Sequence, residues 1–155
     1  MTQKSGWLDE AEMRTWVNFL GASALLERQV DQQLKRDAGL THVQYEVLVR
    51  LAAEPAGELH MHELADAIWT SKSGVTYQVT QLERAGLVTR RPCEHTERGV
   101  HAAITDAGRR KLEQAAPGHV ALVRELFIGV LTSHEQQVLS DALGKIGRRQ
   151  DSVSS

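Results

Sequence analysis

The chain has 155 residues, a net charge of −2 and a single cysteine, Cys93. That length suits one domain able to bury its own core, and one cysteine excludes an intrachain disulfide and suits a reducing compartment. No stretch is long and apolar enough to span a bilayer, and the N-terminus has no apolar signal core, so a soluble cytoplasmic protein with no membrane partner is expected.

Charge is unevenly spread. Residues 1–66 carry eleven acidic and six basic side chains, whereas residues 67–155 carry nine acidic and twelve basic. The basic half is the one expected to meet a polyanion, although scattered solvated charges would give the same imbalance.

In chain order, residues 9–36 place Met13, Val17, Leu20, Ala24, Val30 and Leu34 at steps of three and four with skips, which predicts a long amphipathic helix. Gly39 suits its C-cap and Thr41 the N-cap of a second helix, with Val43, Val47, Leu48 and Leu51 on one face. Pro55 and Gly57 mark a turn, and "MHELADAI" is a short helix. Ser71 or Thr70 then caps a helix over residues 73–85 whose Val75, Val79 and Leu82 form a narrow apolar stripe. At 100° per residue, Ser73, Tyr77, Thr80 and Arg84 fall opposite that stripe, flanked by Thr76 and Gln81. Gly86 ends the helix, and "LVTRRP" and "VHAAIT" read as a hairpin with Gly99 near its tip. Thr105 caps a long helix kinked near Pro117 and Gly118, and Thr132 with Glu135 matches a capping box for the last helix. That helix carries Val138, Leu139, Ala142, Leu143 and Ile146, and residues 147–155 read as a frayed tail. The pattern is mainly α with a small β-hairpin wing: a winged helix-turn-helix.

An exposed face of Ser, Thr, Tyr and Gln costs helix propensity compared with Lys and Glu, so it calls for another role. Such a helix can pack one stripe on its own domain and present the other to base edges in the major groove. The expected DNA contacts are Ser71, Lys72, Ser73, Thr76, Tyr77, Thr80, Gln81 and Arg84 on the helix, with Arg90, Arg91 and Arg98 on the wing. A partner-docking module is the rival reading, and it would want larger apolar anchors than this face offers.

"LT..Q...L..L", "ELAD", "S.SGVT..V..LE.AGLV.R", "ERGV" and "T..G" follow one another across about residues 40 to 120. In this order and spacing the chain resembles the MarR family of bacterial transcriptional regulators. The resemblance implies one MarR-type domain over residues 1–155, with a dimerisation helix at 9–36, the winged helix-turn-helix at 41–105 and C-terminal dimerisation helices at 106–149. It further implies a homodimer on a palindromic, inverted-repeat operator, in most cases as a repressor released by a small, often aromatic, effector. By position, residues 73–85 become the recognition helix and Arg98 the wing-tip arginine. The family commonly has Asp two residues before that arginine, where this chain has Thr96; Glu94 or Glu97 would have to supply the charge.

Three further groupings have competing readings. Trp7, Arg14 and Trp16 have the chemistry of an aromatic-acid pocket, and equally that of a dimer-interface cluster. Cys93, His95 and His101 in the wing suggest metal or oxidant sensing, against the four-ligand need of a structural zinc site. His60 and His62 share a face if they lie on a strand, yet two ligands do not make a metal site. No nucleotide-cofactor or catalytic motif is present, so no cofactor and no enzymatic activity are expected.

Overall fold

The computed structural model describes residues 6–68, 70–92 and 99–153. Cys93, His95, Thr96, Arg98 and both wing glutamates lie outside the described residues.

Helix α1 spans Glu10–Ala38, capped by Asp9 in a reciprocal box with Glu12 and closed by Gly39 in the left-handed region. Helix α2, His42–Ala53, begins with a second such box between Thr41 and Gln44. Helix α3 is Met61–Ala67 and helix α4 is Lys72–Arg84, whose N-cap is Ser71 rather than Thr70: its hydroxyl accepts from the Gly74 amide at 3.1 Å. Helix α5, Asp106–Leu126, opens on the Thr105 hydroxyl, which accepts from the Gly108 amide. A 3-10 turn at Ile128–Val130 precedes helix α6, Ser133–Val153, opened by the expected Thr132–Glu135 box.

Helix α5 continues through Pro117, as the expected long helix does, since one missing amide donor does not end a helix that is otherwise bonded on both sides. Two elements depart from the sequence-based expectation. Helix α6 runs on to Val153 instead of fraying after Ile146: Arg148, Arg149 and Gln150 are good helix formers and no proline stops them. The hairpin is also a three-stranded sheet. Strand β2, Val88–Pro92, and strand β3, Val100–Ile104, are joined by strand β1, Glu58–His60, in the order β1-β3-β2. Strand β1 has only three residues, too few for alternation to be visible, but Glu58, Leu59 and His60 pair with Ala103, Ala102 and His101 and cover the free edge of β3.

The chain divides into two compact units, residues 1–119 and 120–155. In the first, Leu34, Val47, Leu48, Leu51, Leu64, Val75, Val79, Leu82 and Val88 are buried completely or nearly so, and Ala102 closes the core from the sheet. Two glycines set how the chain leaves α4. Gly86 has φ 75°, a conformation that side chains disfavour, and turns the chain toward β2. At Gly108, a Cβ would run into the backbone carbonyl of Leu87, so only glycine lets the start of α5 lie against this turn.

Outside that core, the N-terminal two-thirds of α1 exposes Met13, Trp16, Val17, Phe19, Leu20 and Leu25. In the second unit, Val130, Val138, Leu143 and Ile146 are likewise exposed. No single described helix is long and apolar enough to cross a membrane.

Gly108→Ala forces backbone against backbone and should destabilise the protein by about 1–3 kcal/mol, the usual cost of overpacking. Chemical denaturation measures it, and an unchanged midpoint would mean that the α4–β2 turn yields freely.

Candidate nucleic-acid interface

Helix α4 divides as its periodicity requires. Val75, Val79 and Leu82 are 0–1% exposed, whereas Tyr77 on the opposite side is 62% exposed. Ser71, Lys72, Ser73, Thr76 and Arg84 are exposed as well, and Gln81 is half-buried. The outward face is therefore small and polar at the N-terminal end, aromatic in the middle and cationic at the end.

The hydroxyls on that face are partly occupied. Thr76 Oγ1 donates to the Lys72 carbonyl at 2.9 Å and Thr80 Oγ1 donates to the Thr76 carbonyl at 2.8 Å. Each retains acceptor capacity, because a hydroxyl donates once and accepts twice. Ser71 and Ser73 hydroxyls lie 3.3 Å apart.

Strand β2 runs beside α4, and its two arginines diverge as strand neighbours must. Arg91 is exposed, opposite His101 in the register. Arg90 turns back onto α4, where Nη2 donates to Thr80 Oγ1 at 2.7 Å and to the Thr76 carbonyl at 3.0 Å. Its backbone amide donates to Glu83 Oε2 at 3.1 Å. Between these elements lies a groove of about 590 Å³, lined by His60, Met61, His62, Lys72, Thr76, Thr80, Arg90, Gly99 and Val100.

Three histidines gather at the edge of the groove. The His60 ring is 5.1 Å from that of His62 and packs edge-on against His101 at 3.9 Å. His60 closes β1 while His62 lies on α3, so the expected shared strand face does not form: the helix begins between them. His101 Nδ1 lies 3.3 Å from Glu58 Oε1. Among the described residues no group of three or more His, Cys, Asp or Glu is placed to hold a metal.

Of the expected aromatic-acid trio, only Arg14 lines a cleft, together with Leu8, Asp9, Glu10, Met13, Val17 and Asn18. Its guanidinium lies 3.2 Å from Glu10. Trp16 is stacked on Phe19 at 6.2 Å, and Trp7 is 79% exposed. Neither tryptophan lines the cleft.

A second polar cluster escaped the sequence reading. His42, at the start of α2, meets Glu27 of α1 at 2.7 Å, and the His119 ring of α5 packs 4.5 Å from Tyr45. Burial and, next, the nearby His42 hold the His119 imidazole below its usual range, opposed by Glu46. Burial likewise raises the Tyr45 phenol. Asp31 is held below the usual carboxylate range by Lys35, and Asp37 by the Gln33 amide. Residues separated by up to 77 positions meet here, which periodicity within one helix does not reveal.

A polar-faced helix packed into a helix-turn-helix, beside a basic three-stranded wing, defines a winged-helix DNA-binding protein. Comparison with known proteins agrees. A family model described as "MarR family" matches residues 38–99. The DNA-bound crystal structure of Sco3205, a MarR family transcriptional regulator from Streptomyces coelicolor, is 38% identical, with a TM-score of 0.90 over 93% of this chain and 94% of that one. AbsC, a MarR family transcriptional regulator from the same organism, is 35% identical, with a TM-score of 0.90 over 96% and 99% of the two chains. A more distant fold neighbour is the organohalide-sensing regulator RdhR in its 2,4-dichlorophenol-bound form, 20% identical with a TM-score of 0.78 over 96% and 89%. The chain belongs to the MarR family. It is a DNA-binding transcriptional regulator and not an enzyme.

The depressed His119 sets a pH dependence. Because the unfolded chain takes up this proton at a higher pH than the folded one, its contribution to stability is complete above about pH 6.5 and is lost as pH falls through the folded value. Asp31 and Asp37 act lower, their contribution vanishing only below the ordinary carboxylate range. His119→Gln should flatten the loss of stability that sets in below about pH 6.5 and leave the carboxylate limb intact. Denaturation midpoints against pH measure this, and an unaltered profile would remove His119 as its source.

Proposed function

We propose that the protein is a homodimeric repressor that binds an inverted-repeat operator through α4 and the wing of each subunit and is released by a small aromatic effector. The observation that carries the DNA-reading part is the division of α4, with Val75, Val79 and Leu82 committed to the core and Ser73, Thr76, Tyr77 and Arg84 turned outward. Ser71 and Lys72 at the start of the helix and Gln81 on its flank add polar contacts. Arg91 and, by its position in the family pattern, Arg98 supply charge for phosphates or a narrow minor groove.

The dimer reading is supported by apolar side chains that the subunit leaves in water. Helix α1 exposes Trp16, Val17 and Phe19, and α6 exposes Val138 and Ile146. Faces of this kind mark association surfaces, and a second copy of the chain is their occupant in this reading. On this view the two compact units belong to one domain completed by dimerisation. The effector reading is supported by the Arg14 cleft, whose Leu8, Met13 and Val17 walls suit an aromatic acid able to replace Glu10 on the guanidinium. Trp7 and Trp16 do not line this cleft and are left to the association surface in this reading. The fold neighbour bound to 2,4-dichlorophenol makes a phenolic effector reasonable to test first. A DNA-binding role supports a cytoplasmic location.

Selection of DNA fragments by the purified protein, repeated with aromatic acids and chlorophenols, tests operator and effector together. The recovered site should be an inverted repeat with half-sites roughly 10 base pairs apart, centre to centre. Recovery of sequences without two-fold symmetry would remove the dimer-on-palindrome reading. On that site Tyr77→Ala should cost about 1–3 kcal/mol and relax preference at one base position per half-site. Equal weakening on operator, single-base variants and random duplex would mean that α4 does not read bases. A chain stopped after Thr132 lacks α6 and should lose dimerisation and operator binding together. Sedimentation of a soluble monomer that keeps full affinity would refute the role given to that helix.

A further inference from the structure

We infer that Arg90 is a positioning residue that locks the wing strand to the recognition helix, and that it does not neutralise a phosphate. The inference rests on the DNA-binding function and concerns how this chain aims its two contacting elements.

A phosphate-binding arginine needs its guanidinium in water and its donors free. Arg91 meets that description, being exposed on β2. Arg90 does not. Its side chain is only 28% exposed, and Nη2 is engaged by the Thr80 hydroxyl at 2.7 Å and by the Thr76 carbonyl at 3.0 Å. Its Nη1 stands 3.8 Å from Glu83 Oε2, the oxygen that accepts the Arg90 backbone amide at 3.1 Å. One residue of β2 thus engages α4 at 76, 80 and 83, across about two turns of helix.

The lock is cross-braced on both sides. Thr80 donates its only hydroxyl proton to the Thr76 carbonyl, so its oxygen is oriented to accept from Arg90. On the strand side, Arg90 pairs with Ala102 of β3, which is completely buried, so the backbone carrying the guanidinium is fixed in the sheet. Swinging Arg90 out to a phosphate would leave the part-buried Thr80 acceptor without its donor, which is the costly loss, while parting from the exposed Glu83 carboxylate adds little. The width of the guanidinium matters as well as its charge: Nη2 meets Thr80 and Thr76 while Nη1 faces Glu83, and one lysine ammonium cannot stand in both places. Thr80 is therefore part of the lock. Base readout falls to Ser73, Thr76 and Tyr77, and the angle between α4 and the wing becomes a determinant of specificity.

The test measures affinity of the full-length protein for its selected operator and for random duplex, across a range of salt, for wild type, Arg90→Ala, Arg90→Lys, Thr80→Val and Arg91→Ala. Arg90→Ala should weaken operator binding about tenfold or more, the scale of a lost charge-assisted bond, while random-duplex binding changes by less than about twofold. Its log–log salt slope should stay at the wild-type value, whereas Arg91→Ala should lower the slope by about 0.9 for each phosphate lost. Arg90→Lys should fail to rescue, and Thr80→Val should weaken operator binding in the same selective way without adding to Arg90→Ala. If Arg90→Ala is poorly folded, Thr80→Val, which removes two hydrogen bonds and no charge, decides by the same two readouts. A lowered slope for Arg90→Ala, equal loss on both duplexes and rescue by lysine would overturn the inference and leave DNA binding intact. A wild-type protein that retains no duplex would instead overturn the DNA-binding reading itself.

Discussion

The structure depends on one packing constraint: α4 must bury Val75, Val79 and Leu82 with nothing left over. These three side chains are 0–1% exposed, and they meet a core built from Leu48, Leu51 and Leu64 on the other helices. Each contributes on the order of 1.5–3 kcal/mol by leaving water, so rotating the helix about its axis would expose several such side chains at once. The helix therefore has one permitted orientation, and its opposite face points outward whatever its composition. Function is free to choose that face. Here it is filled with residues that are mediocre helix formers but good hydrogen-bonding partners.

A second constraint fixes the wing. A two-stranded hairpin would be marginal alone, and this one is held from three sides. Strand β1 covers the free edge of β3, Gly108 lets α5 begin against the turn after α4, and Arg90 ties β2 back to the recognition helix. Helix α4 and the three described strands consequently pack together within the first compact unit. The polar junction of His42, Tyr45 and His119 lies in the same unit, where α1, α2 and α5 meet. Burial holds its His119 imidazole below the usual range, so protonating that ring opposes the packing around it.

Much of this was legible in the residues. The α4 stripe, the capping residues Thr41, Ser71, Thr105 and Thr132, and the Gly39 stop are local signals, and local physics produces them. What was not legible depends on neighbours distant in sequence. Arg90 reads as an exposed cation until α4 lies beside β2. Strand β1 is too short to carry a period and exists because β3 offers an edge. The His42–His119 contact joins residues on two different helices, and His101 meets His60 only through the sheet register. The tail after Ile146 looked frayed because it is polar, but polarity alone does not unwind arginine-rich helix. The α1 stripe through Met13, Val17 and Leu20 was visible in the sequence, while its exposure in the subunit was not.

The central claim is that the outward face of α4 lies in the major groove and reads base edges there. Guanine N7 is exposed only in that groove, so methylation protection on the selected operator tests the claim most directly. The account predicts protected N7 positions in two clusters, one per half-site, about one helical turn apart. A bound complex in which every operator N7 stays as reactive as in free DNA would contradict it.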